Sequence, residues 1–219
     1  MHCGEYFIYV DCDRINSDSA ADQRRTAMKD NRNILYINAC VREESRTDRL
    51  AKVLLDKLGK FEEIVLENAD IRPLNRERLN KRTELLEKGD LDDEMFLQAR
   101  QFADADIIVI AAPFWDNSFP AVLKAYIENI YVIGIVTAYA ADGMPYGLCK
   151  AEKLYYVTTA GGPYKQEYGY GYIRGLALNR FGIRDTQLIY AENLDIIGND
   201  AEEIMQKAIA EIDRNTTLS

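Results

Sequence analysis

The segment Asp106-Ile-Ile-Val-Ile-Ala-Ala-Pro113 narrows the possible folds more than any other part of the chain. Its apolar residues do not alternate with polar ones, so the strand it predicts must be covered on both faces, and the proline ends it. A strand of that kind belongs in the middle of a parallel sheet with helices on either side.

Other short apolar runs recur along the chain. Ile34-Leu35-Tyr36-Ile37 predicts strand one, Glu63 to Glu67 strand two, Lys153 to Thr159 strand four and Thr186 to Tyr190 strand five. Helix-patterned segments lie between them. Leu50, Val53, Leu54 and Leu58 recur at helical spacing, with Ser45 or Thr47 placed to cap the start and Gly59 to end it. Further helices are predicted over Met95 to Phe102, Phe119 to Ile130, Ile173 to Phe181 and Ala201 to Asp213, whereas the polar residues 68–90 read as a loop with a short helix. Strand alternating with helix predicts an α/β fold, a doubly wound sheet of five parallel strands with helices on both faces. Ligands of such sheets bind outside the carboxyl ends of the strands. Residues 1–32 are polar and little patterned outside Tyr6 to Val10, and a second methionine, Met28, precedes the first strong strand, so the core domain is expected to be 33–219.

The formal charge of −9, with no stripe of Lys and Arg, removes the attraction that dominates nucleic-acid binding. No apolar stretch reaches the roughly 18–20 residues that span a bilayer, and the signal-peptide pattern is missing, so no membrane insertion and a cytoplasmic location are expected. Cys3, Cys12, Cys40 and Cys149 form no CxxC pair, and His2 is the only histidine in the sequence. No metal site, disulfide framework or histidine-based triad is therefore expected. An enzyme with this inventory borrows its chemistry from an organic cofactor.

Three loops follow successive predicted strands at one sheet edge. The first, 38–48, offers Asn38, Arg42, Ser45, Arg46 and Thr47 around the amino end of a helix, a combination suited to a phosphate, although Ser45 and Thr47 are equally explained as helix caps. It lacks the GxxxxGK[ST] and GxGxxG patterns of two common nucleotide loops. The second, Pro113-Phe114-Trp115-Asp116-Asn117, puts large rings where a flat heteroaromatic ligand would stack, or where they merely cover the end of the sheet. The third, Thr159-Ala160-Gly161-Gly162-Pro163-Tyr164, has paired glycines that permit close backbone approach, or a plain turn.

The stretch from Ala105 to Ile127, ADIIVIAAPFWDNSFPAVLKAYI, and the spacing of Arg42, Ser45, Leu50 and Ala51 resemble the FMN-dependent NAD(P)H oxidoreductases of flavodoxin-like fold, the azoreductases and NAD(P)H:quinone oxidoreductases. The resemblance spans roughly residues 33–212, with Trp115 and Asp116 in place of the usual Tyr-Asn and Asn38 in place of a common serine. It implies that Asn38, Ser45 and Thr47 hold an FMN phosphate, that Pro113 to Asn117 line the flavin, and that Thr159 to Tyr164 pass its pyrimidine edge. It further implies NADH or NADPH as co-substrate, a small acceptor such as a quinone, azo compound or free flavin, and ping-pong turnover without a catalytic side chain, Tyr164 standing on the substrate side. A homodimer is implied near residues 131–150, where the same apolar run also reads as a buried helix continuation. Tyr164, Tyr168, Tyr170 and Tyr172 read either as an aromatic lid or as surface residues. Two alternatives remain: an electron carrier that binds FMN without NAD(P)H turnover, and a cofactor-free binding protein on the same fold.

Overall fold

The structure, a computed structural model, describes residues 32–215, and the expectation for the amino-terminal segment falls outside them apart from Arg32. Five parallel strands form the main sheet: β1 (Ile34–Asn38), β2 (Phe61–Val65), β3 (Ile107–Ala111), β6 (Lys153–Thr159) and β7 (Asp185–Ala191), in the order β2-β1-β3-β6-β7. Tyr36 is in register with Val109, and Val109 with Tyr155, so every strand points its carboxyl end to the same edge. The order reverses between β1 and β3, the kind of switch point at which a crevice opens.

The two faces are covered separately. Helices α1 (Arg46–Leu58) and α6 (Ala201–Asn215) pack on one. The other carries α2 (Arg76–Lys88), α3 (Leu97–Asp104), α4 (Ala121–Ile130) and α5 (Tyr170–Leu176), which continues into a π-helical turn over Ala177–Phe181. The residues of β1 and β3 are buried on both faces, which is why their sequences run apolar without a break. Helix α1 turns Leu50, Leu54, Leu55 and Leu58 onto Ile34, Tyr36 and Val109. Truncating one of those leucines to alanine costs about 2–5 kcal/mol.

Ser45 is the cap of α1, its Oγ accepting from the Asp48 amide at 3.3 Å, and Gly59 ends the helix as expected. Three expectations shift. Strand β2 lies at 61–65 rather than 63–67, because Val65 and Leu66 already lead into a turn whose Asn68 and Ala69 amides bond back to the Val65 carbonyl. The polar stretch 68–90 holds a full thirteen-residue helix, α2, capped by Asn75 and closed by a left-handed Gly89; it buries little beyond Leu85, so its apolar pattern is faint. Residues 131–150 are not a helix continuation. They form a two-stranded antiparallel hairpin, β4 (Thr137–Tyr139) with β5 (Pro145–Gly147), set beside the main sheet. Gly147 lies so close to the backbone of Phe181 and Gly182 that a Cβ there would overlap it. Among the described residues, no helix is long and apolar enough to cross a membrane.

Candidate functional site

The loops after β1, β3, β6 and β7 enclose a cavity of about 370 Å³ at the carboxyl edge of the sheet. That size falls within the range of small-molecule sites. Arg42, Ser45, Arg46 and Thr47 line it from the first loop, Pro113, Phe114 and Trp115 from the second, Thr159, Ala160 and Gly161 from the third. Ten of the fifteen sequence-predicted binding residues thus share one cavity.

At its floor, Thr47 is buried with its hydroxyl 2.6 Å from that of Thr159, joining the first turn of α1 to the end of β6. Arg42 and Arg46 line this side together with Glu44, next to the amino end of α1, whose first-turn amides lack intrahelical acceptors as at any helix start. Trp115 lines the cavity beside them, the Arg42 guanidinium lying over its ring at 5.9 Å.

The ring of Trp115 is presented by a tight turn. Its amide donates to the Ser118 carbonyl and the Ser118 amide to the Trp115 carbonyl, both at 2.8 Å, while Asp116 and Asn117 between them adopt φ of +49° and +62°. Positive φ at both central positions is the type I′ arrangement, which Asn and Asp tolerate better than other side-chain-bearing residues. The Phe114 amide donates to the Thr159 carbonyl at 3.0 Å, so the second and third loops are bonded to each other.

Five predicted residues stand outside the lining: Asn38, Asp116, Asn117, Gly162 and Tyr164. Asn38 is buried and turned to the protein, accepting from the Cys40 amide at 2.9 Å and donating to Asp48 and Glu63 at 3.2 and 2.9 Å. Tyr36 donates to the same Asp48 oxygen at 2.7 Å, and burial together with that bond holds its phenol far above the usual range. Tyr164 packs edge-on behind Phe114, ring centroids 4.8 Å apart, and its hydroxyl accepts from the Tyr170 amide. Burial raises its pKa. Of the other tyrosines, Tyr168 and Tyr172 are exposed and Tyr170 donates to the Thr186 carbonyl. Cys40 lies buried under the first loop, where desolvation pushes its thiol up to about 11 and leaves it no thiolate chemistry near neutrality.

The sequence reading overlooked the fourth wall. Leu194 and Asp195, after β7, line the cavity, and Asp195 accepts from Arg46 Nη1 at 2.8 Å. Val41 and Glu44 complete the first loop's side. The order of the sheet was the available signal, because the strand paired to β6 must deliver its own carboxyl-end loop to the same edge.

Over residues 32–216 the chain matches the family described as "Flavodoxin-like fold". It is 36% identical over 189 residues to an FMN-dependent NADH:quinone oxidoreductase of Clostridium perfringens, covering 80% of this chain and 93% of that protein. A second FMN-dependent NADH:quinone oxidoreductase, from Lachnoclostridium phytofermentans, is 37% identical over 189 residues, covering 77% and 90%. An azoreductase from Bacillus anthracis shares the fold at a TM-score of 0.73 with 22% identity, over 84% of this chain and 97% of that one. So does an FMN-dependent NADH-azoreductase of the same species solved in complex with FMN, at a TM-score of 0.71 and 23% identity over 84% and 96%.

Proposed function

The chain belongs to the flavodoxin-like fold family, and from that premise we propose that it is an FMN-dependent NAD(P)H oxidoreductase acting on quinone or azo acceptors, with the cavity at the sheet's carboxyl edge as its FMN site. The observation that carries the reading is the mixed lining of the cavity: arginines, hydroxyls and a helix amino end, joined through Arg42 to an indole. A phosphomonoester fits the first and a flat ring system the second.

Bound there, FMN would supply the two-electron hydride chemistry that this chain's side chains lack. Arg42, Ser45, Arg46 and Thr47 would hold the phosphate, and Ala160 and Gly161 would pass close beside the ligand by their backbone. Trp115 and Phe114 would line one face of the ring, with Pro113 beneath. Asp116 and Asn117 would act by shaping the turn, Asn38 by bracing the first loop from behind, and Gly162 and Tyr164 by supporting the wall. No side chain is assigned as a catalytic group.

The reading includes residues 33–219 as the FMN-binding domain, a cytoplasmic location and a homodimer. For the last, the support is the exposed Tyr139, Met144, Tyr146 and Leu148 on and beside the β4–β5 hairpin. The test is an absorbance titration with FMN followed by NADH and NADPH oxidation with a soluble quinone. FMN binding with turnover supports the reading; binding without turnover favours an electron carrier, and no binding a cofactor-free protein.

A further inference from the structure

We propose that Asp195 is a positioning residue of this site, holding the Arg46 guanidinium against the cavity wall where it meets a phosphomonoester; this rests on the FMN reading above and deepens it. The argument begins with where Arg46 stands. It is the first residue of α1, at the end of a helix where the backbone dipole disfavours a cation. An arginine there is out of place unless anions face it. One anion is Asp195, which accepts from Arg46 Nη1 at 2.8 Å. Among the ion pairs of the described residues, this is the pair whose two partners both line the cavity; Arg49 and Lys57 of the same helix reach instead to Glu202 and Asp213 on α6.

Asp195 is itself seated. Its amide donates to the Gly161 carbonyl at 2.8 Å, and the flanking Leu194 and Asn193 amides donate to the carbonyls of Ala160 and Gly162 at 3.2 and 3.0 Å. The loop after β7 is thereby bonded onto the loop after β6. The carboxylate rests over Gly161 so closely that a Cβ on that glycine would overlap it. Gly161 therefore serves the site by leaving room for Asp195 as well as by lining the cavity. A guanidinium already held by such a carboxylate loses less freedom when a ligand engages it, which is how pre-organisation adds affinity.

The opposing effect is repulsion between the Asp195 carboxylate and a phosphate, and titration decides which is larger. Calorimetry of the full chain with FMN and with riboflavin, which has no phosphate, is compared for wild type, Asp195→Ala, Arg46→Ala and the double variant. We expect Asp195→Ala to weaken FMN by about three- to fivefold, the scale of an exposed ion pair, and riboflavin by less than about twofold. In the Arg46→Ala background the same substitution is expected to leave FMN affinity unchanged. FMN affinity unchanged or tightened by Asp195→Ala would overturn the proposal, as would equal weakening of both ligands or an effect that persists without Arg46. Wild type that binds neither ligand would overturn the cofactor reading and this proposal with it, a result separate from any difference between variants.

Discussion

Thr47 Oγ1 lies 2.6 Å from Thr159 Oγ1, both residues buried, and binds the first turn of α1 to the last residue of β6. Thr47→Val keeps the shape and removes the hydroxyl, stranding its partner. Urea unfolding should show a loss of about 1–3 kcal/mol. The double variant Ser45→Ala, Thr47→Ala should in addition lose far more affinity for FMN than for riboflavin, each lost bond to a charged phosphate being worth roughly 1.5–3 kcal/mol. Equal weakening of the two flavins would assign both hydroxyls to the fold alone.

Trp115 is the only tryptophan of the sequence and forms one side of the cavity. Its emission should fall as FMN binds and report the same dissociation constant as the flavin signal. Saturation by flavin absorbance with constant tryptophan emission would move the ring system away from this wall.

The Asp116–Asn117 turn sets the direction of that indole. At Asn117, with φ of +62°, alanine should cost about 1 kcal/mol and glycine nothing or less than nothing. Chemical denaturation distinguishes the two substitutions, and an alanine variant as stable as wild type would show that the left-handed backbone is not maintained in solution.

Much of this was legible in the sequence. Ile107–Ala111 announces itself because both faces are buried and no polar residue interrupts the run, and Ser45 and Gly59 mark the ends of α1 by local chemistry. Helix α2 was faint for the opposite reason: with Leu85 its only buried residue, it has almost no apolar stripe, and its limits rest on Asn75 and Gly89. Asp195 is illegible for a third reason. Nothing around it marks a ligand site, and it reaches the cavity only because β7 pairs with β6. The type I′ turn hides in a similar way, since an Asp-Asn pair between aromatic residues reads as polar lining until the backbone angles are known.

Alkaline stability follows from two thiols, Cys40 buried and Cys149 half-buried. Desolvation pushes Cys40 up to about 11 and Cys149 up to about 12 from an ordinary 9.0, so the folded state keeps protons that the unfolded chain releases. Their contribution is complete below pH 9 and is lost as pH rises toward those values, each group adding a slope of about 1.4 kcal/mol per pH unit. The buried phenols of Tyr36, Tyr126 and Tyr156, raised mainly by burial, steepen the fall above the ordinary tyrosine range. Urea midpoints at about pH 8, 9 and 10 should decline progressively, and a flat profile would mean the thiols are accessible.

Turnover should be ping-pong. With Trp115 and Phe114 against one face of the ligand, donor and acceptor are left the other face in turn, and double-reciprocal plots should give parallel lines. His2 being the sequence's only histidine, no imidazole inflection should shape the rate between roughly pH 6 and 8. Intersecting lines would require a ternary complex and two separate sites.

The zipped loops after β6 and β7 also bear on the order in which the chain folds. Arg46 and Asp195, which meet across the cavity, are 149 positions apart, and the wall between them exists only once β7 has docked in parallel on β6. Parallel pairing of distant segments is the slow part of folding, because loop closure must precede any gain from contact. Partly folded chains therefore have no complete pocket to offer, and a ligand of the finished cavity is expected to slow unfolding while leaving the folding rate as it was.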